Sequence, residues 1–462
     1  MIRFFRHYVP LNLLLLILIE ALILGGAIYL GVSARFLDGA TSAELQPLLP
    51  KALTFTLIML GLMTAAGLYD LESHFGVRTL LNRLGLSFGL GLVAMSLIFY
   101  FFPGLLVGRG AFLLSFGMAL LGILASRMLF LRWTSIGALK TRVLVIGTGS
   151  RAAHVETLLS KRRSASNIQV MGYLPMGGSH HFVNHDRILD TGETLPELAA
   201  RLQISEIILA VRERRGGMPV DELLECKLRG INVIELSTFF ERENGHLQLD
   251  SMNASWMILA EGFNQGMMRD TVKRLFDLLV SSAMLVMTLP VMALTALLIK
   301  LESPGPVLYR QERVGQSGHP FTILKFRSMR SDAEHDGKPR WASQNDSRVT
   351  LVGRFIRRTR IDELPQIFNV FFGDMSFVGP RPERPYFVQD LSQQIPYYGI
   401  RHSVKPGITG WAQVRYPYGA TVEDALHKLQ YDLYYVKNHS LFLDLSVLFQ
   451  TVQVVLWGKG VR

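Results

Sequence analysis

The sequence predicts a membrane protein of α plus α/β class: an N-terminal region of four transmembrane helices, then a small α/β domain, then a basic third domain. Three observations lead there. Of 462 residues 49% are hydrophobic and only 18% charged, with a mean hydropathy of +0.26, which excludes a disordered chain and fits poorly with a wholly soluble one. Four long apolar runs fill the first third, and after Lys140 short β-branched runs alternate with helical segments. The length allows about three domains. The single cysteine, Cys226, excludes a disulfide framework and a cysteine-cluster metal site.

The apolar runs are Leu11–Val32, Ala52–Tyr69, Gly85–Phe102 and Ala111–Phe130, each near the ~20 residues that carry a helix across a ~30 Å hydrocarbon core. Arg3 and Arg6 precede the first run and Val32-Ser33-Ala34 resembles a cleavage site, but a signal h-region is only ~7–15 residues long. With the N-terminus inside, the inner segments hold Arg3, Arg6, Arg78, Arg83, Arg127, Arg132, Lys140 and Arg142, and the outer ones Arg35, Lys51 and Arg109. This bias predicts that residues 1–140 form a four-helix transmembrane region and that the following domains start in the cytoplasm. Glu20 lies within a span, as a functional group or as the partner of a neighbouring helix.

A fifth apolar stretch, Leu278–Ile299, contains Pro290. A crossing there would export Arg310, Arg313, Lys325, Arg327, Arg330 and most later cations, against the charge rule. We therefore expect a re-entrant helix over about 274–300 that enters from the cytoplasm, breaks at Pro290 and returns to the same face; a plain fifth crossing is the alternative.

Residues 141–250 read as a cytoplasmic Rossmann-like domain. Arg142–Ile146, Ile168–Leu174, Glu206–Val211 and Asn232–Leu236 are the strands, with helices near 150–162, 195–203 and 219–229. Gly147-Thr148-Gly149-Ser150-Arg151-Ala152 fits the G-x-G-x-x-A turn after a strand and before a helix. Yet Tyr173-Leu174-Pro175 stands where an acid would hold a ribose, and no tyrosine is followed by lysine four positions on. A regulatory or scaffolding role is thus favoured over nucleotide binding, and for His180, His181 and His185, near a Gly-rich loop, a solvated loop is favoured over a metal site.

The chemistry lies in residues 265–462. Of the formal +11 charge, +8 falls after residue 270. Lys273-Arg274-Leu275-Phe276-Asp277 opens the Pro290 helix and Ser303-Pro304-Gly305-Pro306 follows it as a stiff turn. Phe321–Met329 alternates like a strand, with Lys325 and Arg327 on one face. Arg357-Arg358-Thr359-Arg360-Ile361-Asp362-Glu363-Leu364-Pro365-Gln366 and Gly379-Pro380-Arg381-Pro382 complete the set. Clustered guanidinium and ammonium groups suit phosphate oxygens, neighbouring carboxylates suit Mg²⁺, and a carboxylate can attack phosphorus to give a covalent intermediate. Each block alone also fits a bland reading: a solvated helix start for Asp362-Glu363, headgroup binding for the arginines.

Together, residues from about Asp270 to Arg462 resemble the bacterial sugar transferases, the polyprenyl-phosphate sugar-1-phosphate transferases. The resemblance rests on Lys-Arg-x-Phe-Asp at 273–277, Ser-Pro-Gly-Pro-Val at 303–307, Leu-Lys-Phe-Arg-Ser-Met at 324–329, Asn-Asp at 345–346, Asp-Glu-Leu-Pro-Gln at 362–366, Gly-Pro-Arg-Pro at 379–382 and Lys-Pro-Gly-Ile-Thr-Gly-Trp-Ala-Gln-Val at 405–414. The four spans and the Rossmann-like domain resemble the long-chain members that begin exopolysaccharide or O-antigen synthesis.

The resemblance implies a phosphoglycosyl transferase, in which UDP-sugar plus undecaprenyl phosphate gives undecaprenyl-diphosphate-sugar plus UMP at the cytoplasmic face of the bacterial inner membrane. It implies Asp362 as nucleophile of an aspartyl-phosphosugar intermediate, Glu363 as its partner, and Mg²⁺ held by Asp362 and Glu363. Arg357 and Arg381, with Lys325 and Arg327, are expected on substrate phosphates. The lipid bilayer is the implied partner, a homodimer is expected from the resemblance alone, and no motif supports nucleic-acid binding. Leu289 and Ser347 depart from the family's usual residues. A membrane-anchored nucleotide-sugar dehydratase and a non-catalytic scaffold of a polysaccharide assembly complex are the alternatives.

Overall fold

The computed structural model describes residues 2–4, 7–36, 47–69, 76–135, 140–161, 168–176, 182–189, 192–211, 218–249, 262–263, 266–330, 348–417, 419 and 421–457. His180, His181 and the Asn345-Asp346 block lie outside the described residues. The chain forms two compact units, one over residues 9–244 and the other combining residues 2–8 with residues 245–462. It opens on two three-residue strands, β1 (Ile2–Phe4) and β2 (His7–Val9).

In the first unit the apolar runs form α1 (Leu11–Arg35), α2 (Leu48–Ala65), α3 (Val77–Phe101) and α4 (Arg109–Ser135). Each is long and apolar enough to cross a membrane. They share a core of Leu24, Ile28, Phe55, Met59, Met63, Leu84, Phe88 and Ile123, while Leu22, Leu57, Tyr100 and Leu113 remain exposed, as helices apolar on all sides require in a multi-pass membrane protein. Gly31 lets α1 meet α4: a Cβ there would lie 2.1 Å from Ser115 Oγ. Glu20 is the partner of a neighbouring helix, fully buried, with Arg127 Nε 2.6 Å from its Oε1, Arg127 Nη2 donating to Oε2 at 2.9 Å and the Tyr69 hydroxyl donating to Oε2.

The α/β part holds β3 (Thr141–Ile146), α5 (Ser150–Lys161), β4 (Ile168–Leu174), α6 (Leu195–Arg201), β5 (Glu206–Leu209), α7 (Val220–Leu228), β6 (Asn232–Glu235) and α8 (Leu236–Asn244). The sheet is parallel throughout, in the order β4-β3-β5-β6, because each crossover runs through a helix. Val143, Leu144, Val145 and Ile146 are fully buried, with one apolar cluster on each sheet face. Gly147 takes φ +114 at the end of β3 and α5 starts at Ser150, so the glycine turn stands where the sequence placed it. Arg242 clamps the sheet's lower edge, its two terminal nitrogens donating to the two Glu206 carboxylate oxygens at 2.6 and 2.7 Å.

The second unit comprises α9 (Met267–Glu302), the hairpin β7 (Leu308–Val314) and β8 (Pro320–Phe326), α10 (Leu351–Arg358), α11 (Gln366–Phe372), β9 (Ser376–Val378), α12 (Pro385–Gln394), β10 (Gly407–Thr409), α13 (Trp411–Arg415), α14 (Val422–Asn438) and α15 (Leu441–Trp457). β9 and β10 pair in parallel, Gly407 opposite Ser376 and Thr409 opposite Val378. The core gathers Val370, Met375, Phe377, Val378, Trp411, Leu433, Tyr434, Tyr435, Leu443 and Val447. His7 joins it, its Nδ1 2.8 Å from the Tyr434 hydroxyl and its ring edge-on to Trp411.

The break expected at Pro290 is corrected to a continuous helix. α9 runs without interruption through Pro290, because a proline removes one hydrogen bond and can be absorbed by a bend without unwinding the helix. Both flanks of its apolar stretch rest on the same unit. Lys273 Nζ donates to Asp444 Oδ2 at 2.6 Å, and Arg274 donates to the carbonyls of Val370 and Phe371 at 2.7 Å each, satisfying the last turn of α11. Asp277 accepts from Ser376 Oγ at 3.0 Å. At the far end Met292 and Ile299 pack with Phe326 and Ile356, and the Glu302 carboxylate accepts from Val352 N at the start of α10. Between these anchors Val286, Met287, Leu289 and Leu294 are exposed.

Candidate active site

Asp362 and Glu363 sit on a single helical turn, Ile361–Glu363, squeezed between α10 and α11. The chain reaches it through Arg360, which holds φ +59 without being glycine; such left-handed residues carry a conformational cost and concentrate at functional sites. β8 brings Lys325 alongside, and the loop after β9 brings Arg381. Lys325 Nζ donates to Glu363 Oε1 at 3.0 Å and Arg381 Nη2 to the same oxygen at 3.2 Å.

The two carboxyl groups are pushed in opposite directions. Burial raises Glu363, but Arg381 and Lys325, followed by Arg360, outweigh it and hold this carboxyl well below the usual range. Burial and then the adjacent Glu363 charge lift Asp362 to about 6, against the pull of Lys325, Arg360 and Arg357. Lys325 is lowered by its burial, with Glu363 opposing. Asp362 Oδ1 is buried without a hydrogen-bond partner, whereas nearly all buried acceptors in folded proteins have one. An acceptor left open beside a fixed carboxylate and four cations is a place for a reacting or ligated atom.

Four of the sequence-named groups, Asp362, Glu363, Lys325 and Arg381, therefore meet, and Arg357 acts on Asp362 through its charge. Arg327 is placed elsewhere. β8 ends at Phe326, and the Arg327 guanidinium, 7% exposed, donates to Pro304 O at 2.8 Å, Ser303 O at 2.9 Å and Ser303 Oγ at 2.9 Å, so it ties down the turn that follows α9. Arg360 is the residue the sequence reading did not single out. It stands in the same Arg-Arg-Thr-Arg block, and its left-handed backbone and its charge acting on both carboxyl groups mark it.

Among the described residues no three His, Cys, Asp or Glu side chains converge as a metal cage. The open Asp362 oxygen beside Glu363 nonetheless fits Mg²⁺, which commonly takes one or two carboxylates and completes its shell with water and substrate phosphates.

Residues 268–458 match the family described as bacterial sugar transferase. The chain is 39% identical over 294 residues to the UDP-N-acetylgalactosamine-undecaprenyl-phosphate N-acetylgalactosaminephosphotransferase of Aeromonas hydrophila, covering 63% of this chain and 67% of that protein. It is 41% identical over 209 residues to the UDP-glucose:undecaprenyl-phosphate glucose-1-phosphate transferase of Escherichia coli K12, covering 45% of each. It is 41% identical over 195 residues to the exopolysaccharide production protein PSS of Rhizobium leguminosarum bv. phaseoli, covering 41% of this chain and 98% of that protein. The chain thus spans about two thirds of the first relative's length and under half of the second's. A carboxylate pair framed by cations, within a matched region that includes every one of them, leads to one conclusion: the chain belongs to the bacterial sugar transferase family.

Proposed function

We propose that the protein transfers a sugar-1-phosphate from a UDP-sugar to undecaprenyl phosphate, releasing UMP and starting a polysaccharide. The observation that carries this is the open, buried Oδ1 of Asp362 beside a Glu363 already neutralised by Lys325 and Arg381. Asp362 Oδ1 attacks the phosphorus that bears the sugar, the bond from that phosphorus to the bridging oxygen breaks, and UMP leaves. An oxygen of undecaprenyl phosphate then attacks the same phosphorus, the aspartyl oxygen–phosphorus bond breaks, and the carboxylate is regenerated. With its half-point at about 6, Asp362 is largely ionised at neutral pH and ready as a nucleophile. Arg381, Arg357 and Lys325 balance the phosphate charge, and Mg²⁺ on Asp362 and Glu363 would offset more of it.

Placement follows the substrates, one soluble and one confined to the bilayer. Both flanks of the apolar α9 stretch pack on one unit, which supports a helix that enters and leaves the same face, since a ~30 Å hydrocarbon layer would separate the ends of a crossing helix. His7, ahead of the first apolar helix, packs in that same unit, which supports a common side for the N-terminal flank and the site. The loop charges support the cytoplasmic side.

The test is nucleotide release from the purified protein with Mg²⁺, undecaprenyl phosphate and a panel of UDP-sugars. The proposal predicts UMP with at least one sugar and none with Asp362→Asn. UDP as the product, or UMP from the variant at the wild-type rate, would contradict it.

A further inference from the structure

The loop that delivers Arg381 runs Gly379-Pro380-Arg381-Pro382-Glu383. Its two prolines have no N–H, so it cannot prolong the β9 ladder. Its backbone is held residue by residue instead. Gly379 N donates to Thr409 O, Gly407 N donates to Pro380 O, and Val314 N donates to Glu383 O, each at 3.0 Å. The two carbonyls in between are met by side chains. Arg401 Nη2 donates to Arg381 O at 3.0 Å and Arg313 Nη1 donates to Pro382 O at 3.0 Å.

Both arginines are themselves fixed. Arg401 is 6% exposed; its Nη2 lies 2.8 Å from Asp432 Oδ2 on α14 and its Nη1 donates to the Tyr398 hydroxyl at 2.6 Å. Arg313, from β7, donates to Gln311 Oε1 at 2.6 Å and lies 3.7 Å from a Glu383 oxygen. A contiguous path thus runs from Asp432 through Arg401 to the Arg381 backbone, and from the Arg381 guanidinium to Glu363. Burying a guanidinium and its carboxylate is costly, and a planar fork that reaches a carboxylate, a hydroxyl and a carbonyl at once is something lysine cannot supply.

We propose that Arg401 and Arg313 are positioning residues: they clamp the loop carbonyls so that the Arg381 guanidinium meets Glu363, and they act on the reaction through Arg381. This rests on the transferase reading above. A displacement of order 1 Å in a positioned group can lower a rate on the order of 10²-fold, so Arg401→Lys should reduce kcat/KM by about that factor.

The experiment is a double-mutant cycle on UMP release with Arg401→Lys, Arg381→Ala and the pair. If Arg401 acts through Arg381, the pair loses no more activity than Arg381→Ala alone. Losses that multiply would overturn the proposal. Arg313→Lys, and Tyr398→Phe as a milder change, carry the same cycle if Arg401→Lys does not fold. A structure of the substituted protein reads the loop without reference to turnover. Arg381 displaced from Glu363 supports the clamp, and Arg381 still at 3.2 Å refutes it. Wild-type protein that releases no UMP would instead sink the transferase reading and leave that structural readout standing.

Discussion

Replacing Lys325 with methionine removes one of the two cations on Glu363 while keeping the volume of the side chain. At 3.0 Å the Lys325–Glu363 attraction is about 5 kcal/mol at an effective dielectric constant of about 20. Lys325 no longer has to be desolvated, and Arg381 remains, so the net penalty falls at the low end for a broken buried pair, about 3 kcal/mol. The Glu363 carboxyl accordingly moves up toward the usual carboxylate range. Because Glu363 begins well below the usual range, it stays ionised at neutral pH and the change shows at Asp362 instead. Lys325 is also the foremost cation lowering Asp362, so its loss should move that half-point from about 6 toward about 7. The rate rises with pH through this half-point, since the carboxylate is the nucleophile. The wild-type advantage from ionisation alone should grow from about twofold at about pH 7 to about fivefold at about pH 6, and vanish at higher pH. The assay is kcat/KM for UMP release across that range, for both proteins. Profiles that run parallel, with one acid midpoint, would refute the coupling.

Other expectations follow from the same contacts. Arg327→Gln should lower thermal stability by about 1.5–3 kcal/mol while leaving KM for the UDP-sugar unchanged, because its bonds go to the Ser303-Pro304 turn; a raised KM with unaltered melting would return it to the substrate. Arg127→Met should destabilise the membrane bundle by about 3–5 kcal/mol by stranding Glu20, with part of the loss recovered by adding Glu20→Gln, as melting in detergent would report. Gly379→Ala would put a Cβ 2.3 Å from Lys405 O and 2.9 Å from Gly407 N. It should cost about 1–3 kcal/mol and most of the activity, and a variant with wild-type melting and turnover would show that the loop has room.

What the sequence made legible was what repeats or stays local. Four apolar runs became four helices, and the β-branched runs became strands of a parallel sheet whose both faces are buried. The fifth apolar run covers Leu278–Ile299 and predicts a helix over about 274–300, yet α9 extends from Met267 to Glu302 because its flanks are held by charged contacts, which hydropathy does not register. The strand Leu308–Val314 carries Arg310, Gln311, Glu312 and Arg313 and offers no clean alternation; its pairing with Pro320–Phe326 defines it. At the site, alternation put Lys325 and Arg327 on one face, but the strand stops at Phe326 and frees Arg327 to turn away. The clamp from Asp432 to Arg381 joins residues 51 apart in sequence, and Asp277 meets Ser376 across 99. Such partners are fixed by the packed domain and leave no local pattern. The unequal environments of Asp362 and Glu363 are of this kind too, since both are acids in adjacent positions and only burial and neighbours part them.

The account turns on Asp362 becoming covalently attached to the sugar phosphate. Intact-protein and peptide mass spectrometry after mixing the protein with Mg²⁺ and an accepted UDP-sugar, without undecaprenyl phosphate, reads this directly. The account predicts one added sugar-phosphate mass on the peptide carrying Asp362, its loss when undecaprenyl phosphate is supplied, and its absence in Asp362→Asn. Steady UMP release on adding the lipid, from protein that never carries the adduct, would contradict it and point to direct attack by the lipid phosphate.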